Sequence, residues 1–484
     1  MTFESDTQFE WGDTDELVEL LQALLRIRSV NPPGAQGSAI GPDGRPRTDG
    51  ELVAARFLEQ ALAAEGLRPT VVEPFPGRGS IVARVRGDGT GGEPLLLLSH
   101  LDVVPADPAG WSHDPFGGEL DRGFVWGRGA IDMKGMVAME AQVMRRLART
   151  ARASGLDPAT DPIPGLRRDV IFACTSDEEA GGVEGAGWLV DHHPEWLRAT
   201  AALNEAGGIA MPYAGVRFYP IQVAEKGFVV YRIHVRGRWG HGSVPTDDNA
   251  AVIAAKVVAR LAEPGPVRLT SPVAASIVRA APHLPPRAAL RLAAAQAPGG
   301  TPDPAAIDAA LAELCDPVMA RTVSAVIRDT ISVGMVHAGV KYNVIPGSAE
   351  IEIDCRILPG TDEPAMLEEL RRRVGAELWS RIDVECHLIG QPVEAPLDGP
   401  MYPLLEQVLR DHDPDAVPVP FLAPFATDAK HLARIGVPVY GFSPLKLGDE
   451  NFLTMLHADD ERLGVDALAF GLPVLWETVA RFCG

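Results

Sequence analysis

Five stretches of this chain carry residues able to bind a metal or move a proton. They are LLLLSHLDVVP with His100 and Asp102, GRGAIDMKG with Asp132, SDEEAGG with Glu178 and Glu179, ALNEAGG with Glu205, and MLHADDE with His457. His, Asp, Glu, Glu and His form the nitrogen and oxygen ligand set expected for zinc or a similar divalent ion. A carboxylate bridging two ions is the usual device of two-metal hydrolases. The adjacent carboxylates Asp177, Glu178 and Glu179 repel one another unless they are solvated or share cations, and a metal accounts for them without a large cost. The H-x-D spacing puts His100 and Asp102 on one face, where Asp102 can orient the imidazole. Taken singly, each piece has an ordinary reading as a polar loop pair, a turn aspartate or a solvated loop. Together, with four of them at expected strand ends or in the turns that follow, they outweigh that reading. The chain has no G-x-S-x-G elbow, no H-E-x-x-H and no Walker A. Gly87, Gly89 and Gly92 form a G-x-G-x-x-G between two short strands, which reads as a hairpin turn and not as a phosphate loop.

The elements that must position these residues follow from the periodicity. Leu17, Leu20, Leu21, Leu24 and Leu25 recur at helical spacing, with Thr14 as N-cap, and that helix ends before Asn31-Pro32-Pro33. A second helix fits 50–65 with Gly66 as its stop. Strands at 81–86 and 95–99, a helix from near Lys134, a strand at 169–175, a helix near 186–192 and a strand at 199–204 continue the alternation. The pattern predicts an α/β sheet with helices on its faces and polar residues at the carboxyl ends of its strands. Near Ile221 the character changes: QVAEKGFVVYRIHVRG reads as one long alternating strand. A helix at 248–261, a Pro- and Ala-rich stretch from Glu263 to Pro304, another helix and the strands TISVGMVHAG and AEIEIDCRI follow. After Pro359-Gly360 a helix at 362–378 and the strands IDVECHLIG and VPVYGFS restore the earlier rhythm. The expected fold is therefore an α/β catalytic domain in two segments, 1–221 and 358–484, interrupted by an α+β domain at 222–357.

At 484 residues the chain is far too long for one hydrophobic core. Its 44 basic and 65 acidic residues give a net charge of 44 − 65 = −21, which repels phosphate backbones, so no nucleic-acid partner is expected. No window approaches the roughly eighteen apolar residues of a membrane span. The acidic start MTFESDTQFEW lacks the features of a secretory signal, and a cytoplasmic protein is expected. Cys174, Cys315, Cys355, Cys386 and Cys483 are odd in number and contain no C-x-x-C, which argues against disulfides or a thiolate zinc site. Cys174 and Cys355 are expected in the core.

The order His100, Asp132, Glu178-Glu179, Glu205, His457 resembles the M20 family of metallopeptidases and amidohydrolases, and the stretch from Ser99 to Gly135 carries the most specific part of the likeness. The resemblance extends from SVNPPG at residue 29 to HADDERL at 457. It implies a zinc-exopeptidase-like catalytic domain with two zinc ions, positions that would also accept cobalt or manganese, and an inserted α+β lid that mediates homodimerisation. It further implies that Asp132 bridges the ions, that His100 and Glu205 complete one site and Glu179 and His457 the other, and that Glu178 is the general base. In the lid, Gly240-His241-Gly242 resembles the segment whose His stabilises the transition state. Lys341-Tyr342-Asn343-Val344-Ile345-Pro346 and Asp354-Cys355-Arg356 resemble segments that bind a substrate carboxylate, with Arg356 as the guanidinium fork and Asn343 as a second substrate-binding residue. Asn204 stands where many relatives have Asp, and the tract from Glu263 to Pro304 resembles that of the longer carboxypeptidase S-like and dipeptidase-like members. The implied activity is hydrolysis of an amide or peptide bond next to a free carboxylate. A ureido or amidino hydrolase and a non-catalytic metal-binding protein are the alternatives.

Overall fold

The computed structural model describes residues 11–31, 50–283, 311–312, 317–448 and 452–484. Pro32-Pro33 and the end of the Pro- and Ala-rich tract lie outside the described residues. The chain divides into two compact units: residues 1–223, 395–421 and 427–484 form the first, and 224–394 with 422–426 form the second.

The first unit is built on a mixed sheet ordered Thr70–Phe75, Arg78–Val85, Val170–Thr175, Leu95–His100, Ala201–Asn204, Val439–Gly441, Val216–Glu225. The four strands from Val170–Thr175 to Val439–Gly441 run parallel. Leu95, Leu96, Leu97 and Leu98 are fully buried, as a strand covered on both faces requires. Each such leucine contributes about 1.5–3 kcal/mol relative to an exposed one. The helices Trp11–Leu25, Gly135–Ala153, Met401–His412 and Val465–Cys483 share one core with the sheet, as an α/β layering predicts. Cys174 and Cys355 are both buried.

Two local expectations fail in this unit. The first helix already begins at Trp11, so Thr14 sits inside it and is no cap. Gly87 to Gly92 do not close a hairpin, because Arg78–Val85 and Leu95–His100 are not paired with each other but flank Val170–Thr175 on opposite sides. Instead the segment packs on residues 166–168: Asp88 and Gly91 donate to the carbonyls of Leu166 and Arg167, and a Cβ at Gly87 would lie 2.6 Å from the Arg168 carbonyl oxygen.

The second unit is α+β. Its antiparallel sheet has the order Thr330–Ala338, Ser348–Ile357, Gly227–Arg236, Ile382–Gly390. Burial alternates along the two central strands, and the helices Ala250–Leu261 and Glu363–Val374 cover the buried face through Ile253, Val257, Met366 and Leu370. The unit runs on past the expected boundary at 357 because Ile382–Gly390 pairs with Gly227–Arg236 and Glu363–Val374 packs into the same core. The long strand expected at 222–237 is in fact two, Val216–Glu225 and Gly227–Arg236. They are separated by the buried Lys226, whose ammonium donates to the carbonyls of Ala325 and Arg328 and to Thr330 Oγ1. Among the described residues no helix is long and apolar enough to cross a membrane.

Candidate metal centre

In an open parallel sheet the carboxyl ends of the strands collect the polar residues. Leu95–His100 lies between Val170–Thr175 and Ala201–Asn204, so His100, the loop from Ser176 to Glu179 and Glu205 emerge side by side. Asp132 arrives from the turn that precedes the helix Gly135–Ala153. That turn needs glycine at Gly129, where φ is 88° and a Cβ would sit 2.5 Å from Val103 Cγ1. The Asp132–Met133 peptide bond is cis. His457 follows the short helix Phe452–Met455 in a left-handed conformation with φ of 58°.

These side chains converge. His100 Nε2 lies 3.2 Å from Asp132 Oδ1 and 3.7 Å from Glu205 Oε2. His457 Nε2 lies 3.3 Å from Asp132 Oδ2 and 3.3 Å from Glu179 Oε2. Asp132 thus turns one carboxylate oxygen toward each imidazole. Potential ligand atoms of His100, Asp132 and Glu179 all fall within 4.8 Å of one another, and so do those of His100, Glu178 and Glu205.

Burial works against the charged forms of most of these carboxylates. Burial pushes the Glu178 carboxyl well up, and repulsion from Glu205 adds to it. Burial, with help from Asp132, carries Glu205 up to about 7, and burial also raises Glu179. Hydrogen bonds to Asp132 and Glu179 raise His457 to about 10. Burial works against the charged form of His100, but Glu205, Asp102 and Asp132 hold it well above the ordinary imidazole value. For Asp132 burial is overcome by the His100 and His457 hydrogen bonds, which keep it below the carboxylate range. Only protons or cations compensate so many carboxylates in so small a volume, and Glu179 Oε1 is buried with no hydrogen-bond partner among the described residues. Carboxylate and imidazole donors with an orphaned buried oxygen fit divalent cations of the zinc, cobalt or manganese type.

Asp102 meets His100 chiefly through its main chain, with its carboxylate favouring the charged imidazole from farther away. His100 Nδ1 is 3.0 Å from the Asp102 main-chain oxygen, whereas the carboxylate oxygen is 3.6 Å away, too far for a hydrogen bond. Donation from Nδ1 to that carbonyl leaves Nε2 as the nitrogen that would face a cation between Asp132 and Glu205. The Asp102 carboxylate instead accepts the main-chain N–H groups of Glu178 (3.1 Å) and Glu179 (3.0 Å) and the Asn31 amide (2.8 Å). It therefore fixes the two glutamates from behind. Asp102→Asn replaces an acceptor by an amide donor facing an N–H, and we expect divalent-ion affinity to fall about 10- to 100-fold in a metal titration. Unchanged affinity would remove this role.

Sequence reasoning missed the rest of the support. Glu461 is fully buried and accepts Arg128 Nη1 (2.7 Å) and the N–H groups of Gly129, Ile131 and Asp132 (3.0, 2.8 and 3.1 Å), so one carboxylate shapes the whole Asp132 turn. Its place four residues after His457 in MLHADDE was the available signal. Arg78 binds Glu51 (2.7 Å) and Asn31 (2.8 Å), and Glu51 accepts the Asp177 N–H (3.0 Å), which anchors the left-handed Asp177 at φ 71°. No local pattern announces those contacts. Asn204 donates to Thr427 Oγ1 at 3.1 Å, and the neighbouring Asp428 accepts Thr175 Oγ1 at 2.8 Å. Lys430, two residues on, partly offsets the upward push on Glu178.

His241, Asn343 and Arg356 belong to the second unit. His241 and Asn343 share a two-stranded ribbon in which His241 pairs with Val344 and the Gly242 N–H donates to the Asn343 carbonyl at 2.9 Å. Asn343 Oδ1 is buried without a partner among the described residues. Arg356 lies apart from them on Ser348–Ile357, with Nε and Nη2 each about 3.0 Å from Asp354 and its guanidinium 5.6 Å from the centre of the Phe228 ring.

Comparison with known proteins places the chain in a family. The profile of peptidase family M20/M25/M40 matches residues 96–481. Human aminoacylase-1 is 28% identical over 487 residues, covering 95% of this chain and 95% of its own length. The N-fatty-acyl-amino acid synthase/hydrolase PM20D1 of Bos taurus is 25% identical over 422 residues, covering 82% of this chain and 75% of that protein. An M20 family metallo-carboxypeptidase from Sulfolobus solfataricus has the same fold, with a TM-score of 0.66 at 15% identity over 97% of this chain and 99% of that one. The profile match takes in most of the chain and every residue of the centre, and the chain therefore belongs to the M20/M25/M40 peptidase family, as a hydrolase of amide or peptide bonds.

Proposed function

We propose that this protein hydrolyses the amide or peptide bond next to a free carboxylate, in N-acyl amino acids or short peptides, at a centre for two zinc ions. The observation that carries the reading is Asp132, whose two carboxylate oxygens face His100 and His457 separately at 3.2 and 3.3 Å. On this reading His100 and Glu205 would hold one ion and Glu179 and His457 the other, with Asp132 contributing to each. Bound there, the ions supply Lewis-acid polarisation of a carbonyl and a water acidified toward neutrality.

The protein's own groups do the rest. Glu178 is fixed through its main-chain N–H on Asp102, and burial with repulsion from Glu205 raises its carboxyl, so it holds a proton more firmly than a free carboxylate does. It receives the proton of the attacking water and delivers it to the departing amine. His241 donates to the oxygen on which negative charge develops. Arg356 uses two of its five N–H groups on Asp354, and the remaining three are available to a substrate carboxylate, with Asn343 proposed as a separate polar contact to the substrate. The names of human aminoacylase-1 and the Bos taurus N-fatty-acyl-amino acid enzyme support an N-acyl amino acid as substrate. A homodimer formed through the second unit belongs to the same proposal, supported by Met335, Val336, Leu388 and Ile389, which are exposed on its two outer strands.

The substrate requirement has a direct test. Loss of charge-assisted hydrogen bonds from Arg356 should make the α-carboxamide of an N-acyl amino acid about 10- to 100-fold slower in kcat/KM than the free acid. Equal rates on the two would overturn recognition of the carboxylate.

A further inference from the structure

The turn that presents His241 is ordered by its own backbone. Gly240 pairs with Ile345 and His241 with Val344, and the Val244 N–H donates to the His241 carbonyl at 3.0 Å. Between them Ser243 folds back on the imidazole. Its main-chain N–H donates to His241 Nδ1 at 3.2 Å, and its hydroxyl oxygen lies 2.7 Å from the same nitrogen.

A main-chain N–H can only donate, so Nδ1 must present its lone pair. A neutral imidazole with a bare Nδ1 carries its proton on Nε2. The hydroxyl, facing the same lone pair, is then a donor as well. The opposite tautomer would set the Nδ1 hydrogen against the Ser243 N–H and turn a lone pair outward at Nε2. Such a lone pair repels an oxyanion, whereas an Nε2–H stabilises it. Nε2 makes no hydrogen bond among the described residues, so that donor is free for a ligand.

We propose that Ser243 is the positioning residue that fixes the tautomer and ring orientation of His241, so that Nε2–H is the donor offered to the substrate. The catalytic consequence rests on the function proposed above, but the tautomer does not. The two are separated by reading the ring directly. In the full-length, zinc-loaded protein labelled with 15N-histidine, the His241 signals are assigned by their loss in His241→Gln. The expected result is an unprotonated Nδ1 and a protonated Nε2 in the wild type. Ser243→Ala should move both ring signals and lower kcat about 3- to 10-fold with KM little changed, the size of one net hydrogen bond. Ser243→Thr, which keeps the hydroxyl, should restore both. A wild-type His241 protonated at Nδ1 would overturn the proposal; Ser243→Ala keeps the main-chain N–H and so an unprotonated Nδ1, and unaltered ring signals in that variant would overturn the part assigned to the hydroxyl. If the signals behave as expected while His241→Gln keeps full turnover, the tautomer assignment stands and the role of His241 in the reaction falls.

Discussion

Glu178→Gln is expected to lower kcat by about 10²- to 10⁴-fold while the protein still takes up two equivalents of zinc. The substitution keeps the shape of the side chain and leaves untouched the main-chain N–H that Asp102 holds at 3.1 Å. It removes only the ability to accept and release a proton. It also removes one negative charge from beside Glu205, whose repulsion helps to raise Glu178, so the amide is easier to bury than the carboxylate. Metal retention with lost turnover therefore separates a base from a ligand, which geometry alone does not, since Glu178 lies as close to His100 and Glu205 as a ligand would. Near-normal turnover at full zinc occupancy would exclude Glu178 as the base. Loss of an ion together with activity would make it a ligand instead.

Glu461→Ala should be the most damaging change outside the centre itself. Arg128 is 2% exposed and Glu461 is fully buried, and deletion of one partner leaves an uncompensated charge in the interior, at a cost of about 3–5 kcal/mol. Three main-chain N–H groups of the Asp132 turn lose their acceptor in the same step. The denaturation midpoint should fall accordingly, and zinc affinity by a further 10- to 100-fold or so, because the turn that aims Asp132 is released. Glu461→Gln, which retains an acceptor for Arg128, should be milder in both. An unchanged midpoint for the alanine variant would show that the pair contributes nothing to the fold.

Part of the cluster was legible in the sequence because its residues stand where apolar strands stop. His100 ends LLLLSH, Glu205 follows ALN, and Glu178-Glu179 follow VIFACTSD, so burial on one side and polarity on the other mark the edge of a parallel sheet. The groups that support the cluster were not legible. Glu461 reaches Arg128 across 333 residues, and Arg78 reaches Asn31 across 47, contacts that no periodicity records. The end of the second unit was missed for a related reason: Glu363–Val374 and Ile382–Gly390 repeat the helix-then-strand rhythm of the first unit, and only their partners, the helix Ala250–Leu261 and the strand Gly227–Arg236, place them elsewhere. The glycines from Gly87 to Gly92 misled in the same way, since the strand that separates their two neighbours arrives some eighty residues later, at Val170–Thr175.

The most direct test is product release, followed by mass spectrometry, from a mixed panel of N-acyl amino acids and dipeptides incubated with zinc-loaded protein and with a chelated control. The proposed function predicts free amino acids in the zinc-loaded sample and none above background in the control. No free amino acid from any member, with two zinc ions bound, would contradict it, and release of ammonia or carbon dioxide from carbamoyl substrates would identify a ureido hydrolase in its place.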